Sequence, residues 1–351
     1  MKILIASGIY PPDIGGPAQY ARNLYETWKA EGHEVKVAAY RWERAAPPFI
    51  KHLLFMTKVM RKGWDADMIL VLDNFLAAVP AMFACALMRK PYIIRTGGDL
   101  LWEWYVERTG ELILFKDFYS KKRDFSLKEK IIDSLSRKAF KRADAVIFSS
   151  DWQKKIWEKE YGLDPKKAFI VENFCGERLE PLQAGAGPEN RSFVAGTRPL
   201  KWKNVELLKD AFADARTMAA RRGLEDIELD CGKAVYDSFV EKIRRSYAVI
   251  LASLGDISPN MIFDAIRAGT PFILTKETGI ADRVRECAVF VDPQDKKDIA
   301  EKVAWMADPK NRAAQAEKVR RFAWVHTWGQ IGDEIISVWE RMHKRPKGRI
   351  G

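Results

Sequence analysis

The sequence predicts an α/β protein made of two Rossmann-like, doubly wound parallel-sheet lobes facing across a cleft. Three observations carry that expectation. At 351 residues the chain exceeds one ordinary hydrophobic core. Short apolar runs alternate with helical patterns, the signature of parallel strands covered by helices. A polar, Gly/Pro-rich stretch, RLEPLQAGAGPENR (178–191), then interrupts the alternation, which begins again after it.

Taken in order, KILIAS (2–7) reads as a buried first strand, followed by a Gly/Pro-rich loop and an amphipathic helix over about 18–31 that Gly32 ends. EVKVAAY supplies the second strand. MILVLD (68–73) and PYIIRTG (91–97) follow, separated by an apolar helix over 77–89. ADAVIFSS (143–150) and AFIVEN (168–173) complete the first sheet, with a helix over 151–161 capped by Ser150 or Asp151 between them. The second alternation runs through SFVAGT (192–197), DIELDCG, AVILAS, PFILTK and AVFVD. A last helical pattern around Gln330–His343 sets Ile335, Ile336 and Trp339 on one face. The expected division is a first domain over 1–177 to which a C-terminal helix of about 328–345 returns, a linker over 178–191, and a second domain over 192–327.

Composition narrows the function. Apolar residues make up 47% of the chain, enough for packed cores and against extensive disorder. The 59 basic against 48 acidic residues leave +11, which suits a phosphate-bearing ligand, a membrane surface or a nucleic acid. No RNP, helix-turn-helix or zinc-finger pattern supports nucleic acid, so none is expected as a partner. Cys85, Cys175, Cys231 and Cys287 lie far apart without metal-ligand spacing, which predicts reduced thiols, a cytoplasmic location and no metal site. The N-terminal MKILIASGIYPP is broken too early for a signal peptide. The most apolar run, Phe75–Met88, contains Pro80 and is too short to span a bilayer.

Three segments can carry chemistry. In Tyr10-Pro-Pro-Asp-Ile-Gly-Gly-Pro17, Gly15 and Gly16 permit close backbone approach before a helix whose free amides suit an anion; an ordinary strand–helix turn is the alternative. It is neither GxGxxG nor a P-loop. In Arg198-Pro-Leu-Lys-Trp-Lys203, two cations leaving the carboxyl end of a strand can clamp a diphosphate, or form a solvated basic loop. In Asp256-Ile-Ser-Pro-Asn-Met-Ile-Phe-Asp264, two carboxylates lie eight positions apart. Asp264 thus falls about two helical turns below the loop presenting Asp256, and the amides near Asn260 and Met261 mark a helix N-terminus suited to phosphate. The alternative is that Asp256 or Ser258 caps the helix while Asp264 faces water. Asp99, at the glycine-rich end of Arg95-Thr-Gly-Gly-Asp99, is either an acceptor-orienting or catalytic carboxylate or a helix cap.

A YPPxxGG loop, R-x4-K after the first strand of a second lobe, and an acid-x7-acid loop before AGTP together resemble the retaining GT-B glycosyltransferases of family 4 (glycosyl transferases group 1). ADAVIFSSDWQKKIWEKEYG is similar to that family's closing segment of the first lobe. The resemblance implies transfer of a sugar from a UDP- or GDP-linked donor to a glycan or lipid-linked acceptor, with retained configuration, no essential metal and no cofactor. It implies that Arg198 and Lys203 bind the diphosphate in place of a metal. Asp256 would contact the donor sugar and Asp264 the ribose, with Gly15 and Gly16 near the donor phosphates and acceptor. Catalytic roles would then fall to Asp99, Arg198, Lys203 and Asp256. The family has Glu at both acidic positions, and this chain has Asp at each. The other readings are a nucleotide-sugar epimerase or phosphorylase of the same fold, or a catalytically degenerate nucleotide- or membrane-binding module.

Two basic stretches bear on the acceptor. Residues 116–142 hold ten Lys/Arg against four Asp/Glu, interleaved with Phe118, Tyr119, Phe125 and Phe140, and residues 50–64 (IKHLLFMTKVMRKGW) are basic and amphipathic. They read as faces for an anionic membrane or a lipid-diphosphate acceptor on a peripheral enzyme at the inner face of the plasma membrane, or as solvated helices with aromatics in the core.

Overall fold

A computed structural model describes residues 1–13, 15–180, 182, 190–195, 200–224, 226–232 and 235–343. They form two compact units. The first contains Met1–Leu101, Asp124–Asn173 and the chain from Thr327; the second contains Trp102–Arg123 and Phe174–His326.

The first unit is a six-stranded sheet of β1 (Lys2–Ser7), β2 (Glu34–Ala39), β3 (Met68–Leu72), β4 (Ile93–Thr96), β5 (Ala145–Phe148) and β6 (Ala168–Ile170) in the order β2-β1-β3-β4-β5-β6. Every pairing is parallel, with Ile3 opposite Val35 on one side and Met68 on the other. Such strands are covered on both faces, which is why β3, β4 and β5 are buried at every position; β3 and β5 read as unbroken apolar runs, whereas β4 carries Arg95 and Thr96. Helices α1 (Gly16–Ala30), α2 (Pro48–Gly63) and α3 (Ala78–Met88) belong to this unit. α4 (Leu100–Thr109) begins at its boundary, and α5 (Phe115–Phe118) lies in the Trp102–Arg123 segment. α6 (Leu127–Arg142) and α7 (Asp151–Tyr161) return to the first unit. α6 starts with a capping box of Ser126 and Glu129. Ser150 caps α7 by accepting from the Gln153 N–H, and Gly162 ends it with φ +58°.

The second unit's sheet contains β7 (Arg191–Val194), β8 (Ile227–Asp230), β9 (Ala248–Leu251), β10 (Phe272–Thr275) and β11 (Val289–Val291), all parallel, in the order β11-β10-β9-β7-β8. It carries α8 (Val205–Ala220), α9 (Tyr236–Arg245), α10 (Asn260–Ala268), α11 (Lys296–Met306) and α12 (Pro309–Arg321). In each sheet the first strand lies between the second and the third. Connections therefore leave in opposite directions from its two sides, and the carboxyl ends of the first and third strands frame a switch point, where open α/β sheets bind ligands.

The last helix, α13 (Trp328–His343), rejoins the first unit, as the sequence predicts. Ile331, Ile335, Val338 and Trp339 are its buried side. A Cβ on Gly332 would lie 2.7 Å from Trp28 Nε1 of α1, so only glycine allows this approach.

One segment divides differently from the expected 1–177. Trp102–Arg123 packs with the second unit: the Phe115 N–H donates to Leu254 O at 3.1 Å, and Trp102 stands 5.4 Å from both the Phe115 and Trp202 rings. Burial of these aromatics decides where the segment sits, and that is tertiary information. At the start of the stretch expected as a linker, Arg178 donates to Ile266 O and Phe322 O at 2.8 and 2.7 Å; residues 181 and 183–189 lie outside the described residues.

Candidate active site

The second unit's switch point is built by three loops. Among the described residues after β7, Lys201–Lys203 form a tight turn that ends at Asn204, whose φ of +60° starts α8. The Asn204 side-chain amide donates to Ala252 O at 3.1 Å and Pro293 O at 2.6 Å, tying this turn to the loops after β9 and β11. After β9, Asp256 is gripped by its backbone: its N–H donates to Glu277 O at 3.0 Å, and its carbonyl accepts from Thr278 Oγ1 at 2.7 Å. The third loop, after β10, thereby sets the direction of the Asp256 side chain.

These loops bring Lys203 and Asp256 together. Lys203 Nζ lies 2.6 Å from Asp256 Oδ2 and 4.2 Å from the centre of the Trp202 ring. Their side chains are only 15% and 13% exposed. An ammonium has three donors, so one bond to Asp256 leaves two for an incoming oxyanion. Arg198, the other expected clamp residue, lies outside the described residues. Four residues beyond Asp256, α10 opens at Asn260 behind Pro259, and no side chain caps it. Neither Asp256 nor Ser258 caps the helix, whose first turn holds Asn260 and Met261 at the positive end of its dipole.

Asp264 does not face water. It is 4% exposed, accepts from Tyr236 Oη at 3.0 Å and pairs with Arg267 Nη1 at 3.2 Å. Burial pushes its carboxyl above the ordinary range, against the pull of Tyr236 and Arg267. Tyr236, Arg267 and the 3%-exposed Glu277 are site residues that sequence reasoning misses. Glu277 pairs with Lys116 at 2.5 Å, so the Trp102–Arg123 segment reaches the same loop that holds Asp256. No sequence spacing links positions 116 and 277.

The remaining candidates lie in the first unit. Gly15, with φ +155°, is the N-cap of α1, and Ala18 and Gln19 both donate to its carbonyl at 3.1 Å. The loop before it is fixed by Asp13, which Arg44 grips through both oxygens at 2.7 and 2.6 Å, holding the carboxyl at about 2. Asp99 is 1% exposed, precedes α4, and accepts from Trp157 Nε1 at 3.0 Å. The first sheet's own switch point is filled: Asp73, following β3, accepts from the N–H groups of Phe75, Ala77 and Ala78 at 2.8 to 3.2 Å. A Cβ on Gly8, after β1, would sit 3.0 Å from Asp73 Oδ2. At the carboxyl end of the first sheet's β3 a carboxylate of the protein's own is thus held by backbone N–H groups.

The two basic stretches fare differently. Residues 116–142 divide between the two units, and Phe118 and Phe140 are buried. On α2 and the turn before it, Trp42, Phe49, Ile50 and Leu53 are exposed, Phe49 by 81%. No described helix is long and apolar enough to cross a membrane. Among the described residues no group of three or more His, Cys, Asp or Glu is placed to hold a metal ion. All four cysteines are free, and burial raises the Cys85, Cys175 and Cys287 thiols to about 12, 11 and 11.

Residues 14–175 match a family model, Glycosyltransferase Family 4. No curated protein matches the chain in sequence. Among solved structures, HepE of Anabaena in complex with UDP and glucose is similar over 97% of this chain and 99% of its own, at TM-score 0.69 and 16% identity. Sucrose-phosphate synthase from Thermosynechococcus elongatus is similar over 97% and 98%, at TM-score 0.69 and 14% identity. WaaG, a glycosyltransferase involved in lipopolysaccharide biosynthesis, is similar over 98% and 100%, at TM-score 0.67 and 12% identity. The fold is that of the GT-B glycosyltransferases.

Proposed function

We propose that this chain is a retaining, metal-independent glycosyltransferase that moves a sugar from a nucleoside diphosphate sugar to a glycan or lipid-linked acceptor. The observation that carries the reading is the Lys203–Asp256 pair at the carboxyl end of β9, beside the uncapped N-terminus of α10. A cation, a carboxylate and helix amides at a switch point fit a diphosphate and a sugar hydroxyl together. The family match over residues 14–175 and the complex of HepE with UDP and glucose support UDP ahead of GDP as the donor base.

In this reading Lys203, with Arg198, neutralises charge as the diphosphate departs, the task a metal performs elsewhere. Asp256 orients the donor sugar. Asp264, held in place by Arg267, accepts ribose hydroxyls after exchanging its bond from Tyr236. Gly15, Gly16 and Asp99 belong to the acceptor side. No cofactor beyond the donor is needed. The protein works in the cytoplasm, and α2 is the side that meets an anionic membrane.

Incubation with a panel of UDP- and GDP-sugars and glycan or lipid-linked acceptors, followed by mass spectrometry, tests the reading. Mass transfer of one hexosyl unit, undiminished by EDTA, is expected. The absence of both transfer and donor hydrolysis with every member of the panel would overturn it.

A further inference from the structure

Arg95, at the carboxyl half of β4, is a buried cation without a counter-charge. It is 7% exposed, and among the described residues no carboxylate pairs with it. Its guanidinium lies 3.9 Å over the Tyr20 ring and donates through Nη2 to Asn173 Oδ1, a neutral acceptor. Its Nε is buried without a hydrogen-bond partner. Burying a guanidinium costs several kcal/mol unless an opposite charge compensates it. Native proteins rarely accept that cost, or leave buried donors unmatched, without a functional reason.

The surroundings share the property. β5 lies beside β4, with Thr96 opposite Phe148, and the next residue, Ser149, is 1% exposed with its hydroxyl unpartnered. Gln153, one turn before Trp157 on α7, is fully buried, and neither end of its amide is paired. Trp157 in turn donates to Asp99. Beside the guanidinium the chain is glycine: a Cβ on Gly97 would lie 2.8 Å from Arg95 Nη1. The ends of β4, β5 and β6 thus present one uncompensated cation and a set of unmatched hydroxyl and amide groups.

From this we infer that the first unit holds a site for a polyhydroxylated ligand bearing an oxyanion, phosphate or carboxylate, with Arg95 as its counter-ion. Ser149 and Gln153 meet the ligand's hydroxyls, and Tyr20 and Asn173 hold the guanidinium in place. That this ligand is the glycosyl acceptor rests on the transferase reading; the anion site itself does not. A sugar phosphate, a uronic acid and a phospholipid headgroup share the required chemistry.

The test uses Asn173→Asp in the full chain. The change is nearly isosteric and places a carboxylate on Arg95 Nη2, satisfying the cation internally. Saturating UDP is present throughout to occupy the second unit. Calorimetric titration with inorganic phosphate, glucose 6-phosphate, glucuronate and phosphatidylglycerol vesicles then separates the sources. The wild type should bind at least one of these anions, and Asn173→Asp should weaken that binding by about tenfold or more, the worth of a charge-assisted bond. The variant should also melt higher than the wild type. A higher melting temperature with unchanged anion binding, or no anion binding by the wild type, would overturn the proposal. Failure of UDP to bind would count against the transferase reading alone, because the effect of Asn173→Asp on anion binding can still be read.

Discussion

Lys203→Met tests the geometry of the second unit most sharply. The ammonium and the Asp256 carboxylate lie 2.6 Å apart with 15% and 13% of their side chains exposed, so water screens them little. Removing the cation strands a largely buried carboxylate, a loss of about 3 kcal/mol, at the low end for buried pairs because some solvent reaches this one. Asp256→Asn leaves the ammonium unpaired at a similar cost. The double variant should lose less than the sum of the two, by about 1–3 kcal/mol, because the single losses count one interaction twice. Urea denaturation of the four proteins gives the coupling. Lys203→Met should also weaken UDP binding by about tenfold to a hundredfold, through loss of charge-assisted bonds to the diphosphate. Additive stability losses would refute the ion pair. UDP affinity unchanged in Lys203→Met would refute the diphosphate role.

Asp264 carries a pH prediction. Its carboxyl titrates above 3.8 in the folded protein, so the proton is bound more tightly in the native than in the unfolded state. The resulting stability is full below the ordinary Asp value and is lost as pH rises through the elevated one. UDP affinity, which needs the ionised form, should fall on acidification at a pH above 3.8, and Asp264→Asn should abolish that step; a step retained in the variant assigns it to another group. Gly255→Ala would place a Cβ 2.5 Å from Phe115 Cβ and 3.3 Å from Trp102 Cη2. An overpacking loss of about 1–3 kcal/mol and a lower melting temperature are expected, whereas an unchanged melting temperature would show that Trp102–Arg123 does not pack there. Phe49→Ser with Leu53→Ser should lower binding to anionic vesicles more than tenfold in flotation assays. Wild-type binding should fall with added salt, and equal binding to neutral vesicles would exclude α2 as a membrane face.

The strands are legible in the sequence as short apolar segments between helical patterns, and most plainly where a buried parallel strand reads as a nearly unbroken apolar run, MILVL for β3 and AVIL for β9. The strand order and the partners of side chains are not written locally. Thus the D-x7-D spacing singles out Asp256 and Asp264, yet the bonds that orient them come from Glu277 and Thr278 after β10 and Tyr236 on α9. The segment Trp102–Arg123 misleads for the same reason. Residues 116–123 read as one basic stretch with 124–142, while Phe115 and Trp102 bury themselves beside Trp202. Asp73 escapes notice because an aspartate after a strand has the look of an ordinary helix start, and only the contact with Gly8 shows that it fills the first sheet's switch point.

In the proposed reading the second unit binds a nucleoside diphosphate through Lys203. Thermal denaturation with and without saturating UDP, in the wild type and in Lys203→Met, tests it directly. At about a hundredfold excess over Kd the wild type should gain about 2.7 kcal/mol of stability and melt several degrees higher, and Lys203→Met should lose most of that gain at the same UDP concentration. No shift in the wild type with either UDP or GDP, or an equal shift in the variant, would contradict it.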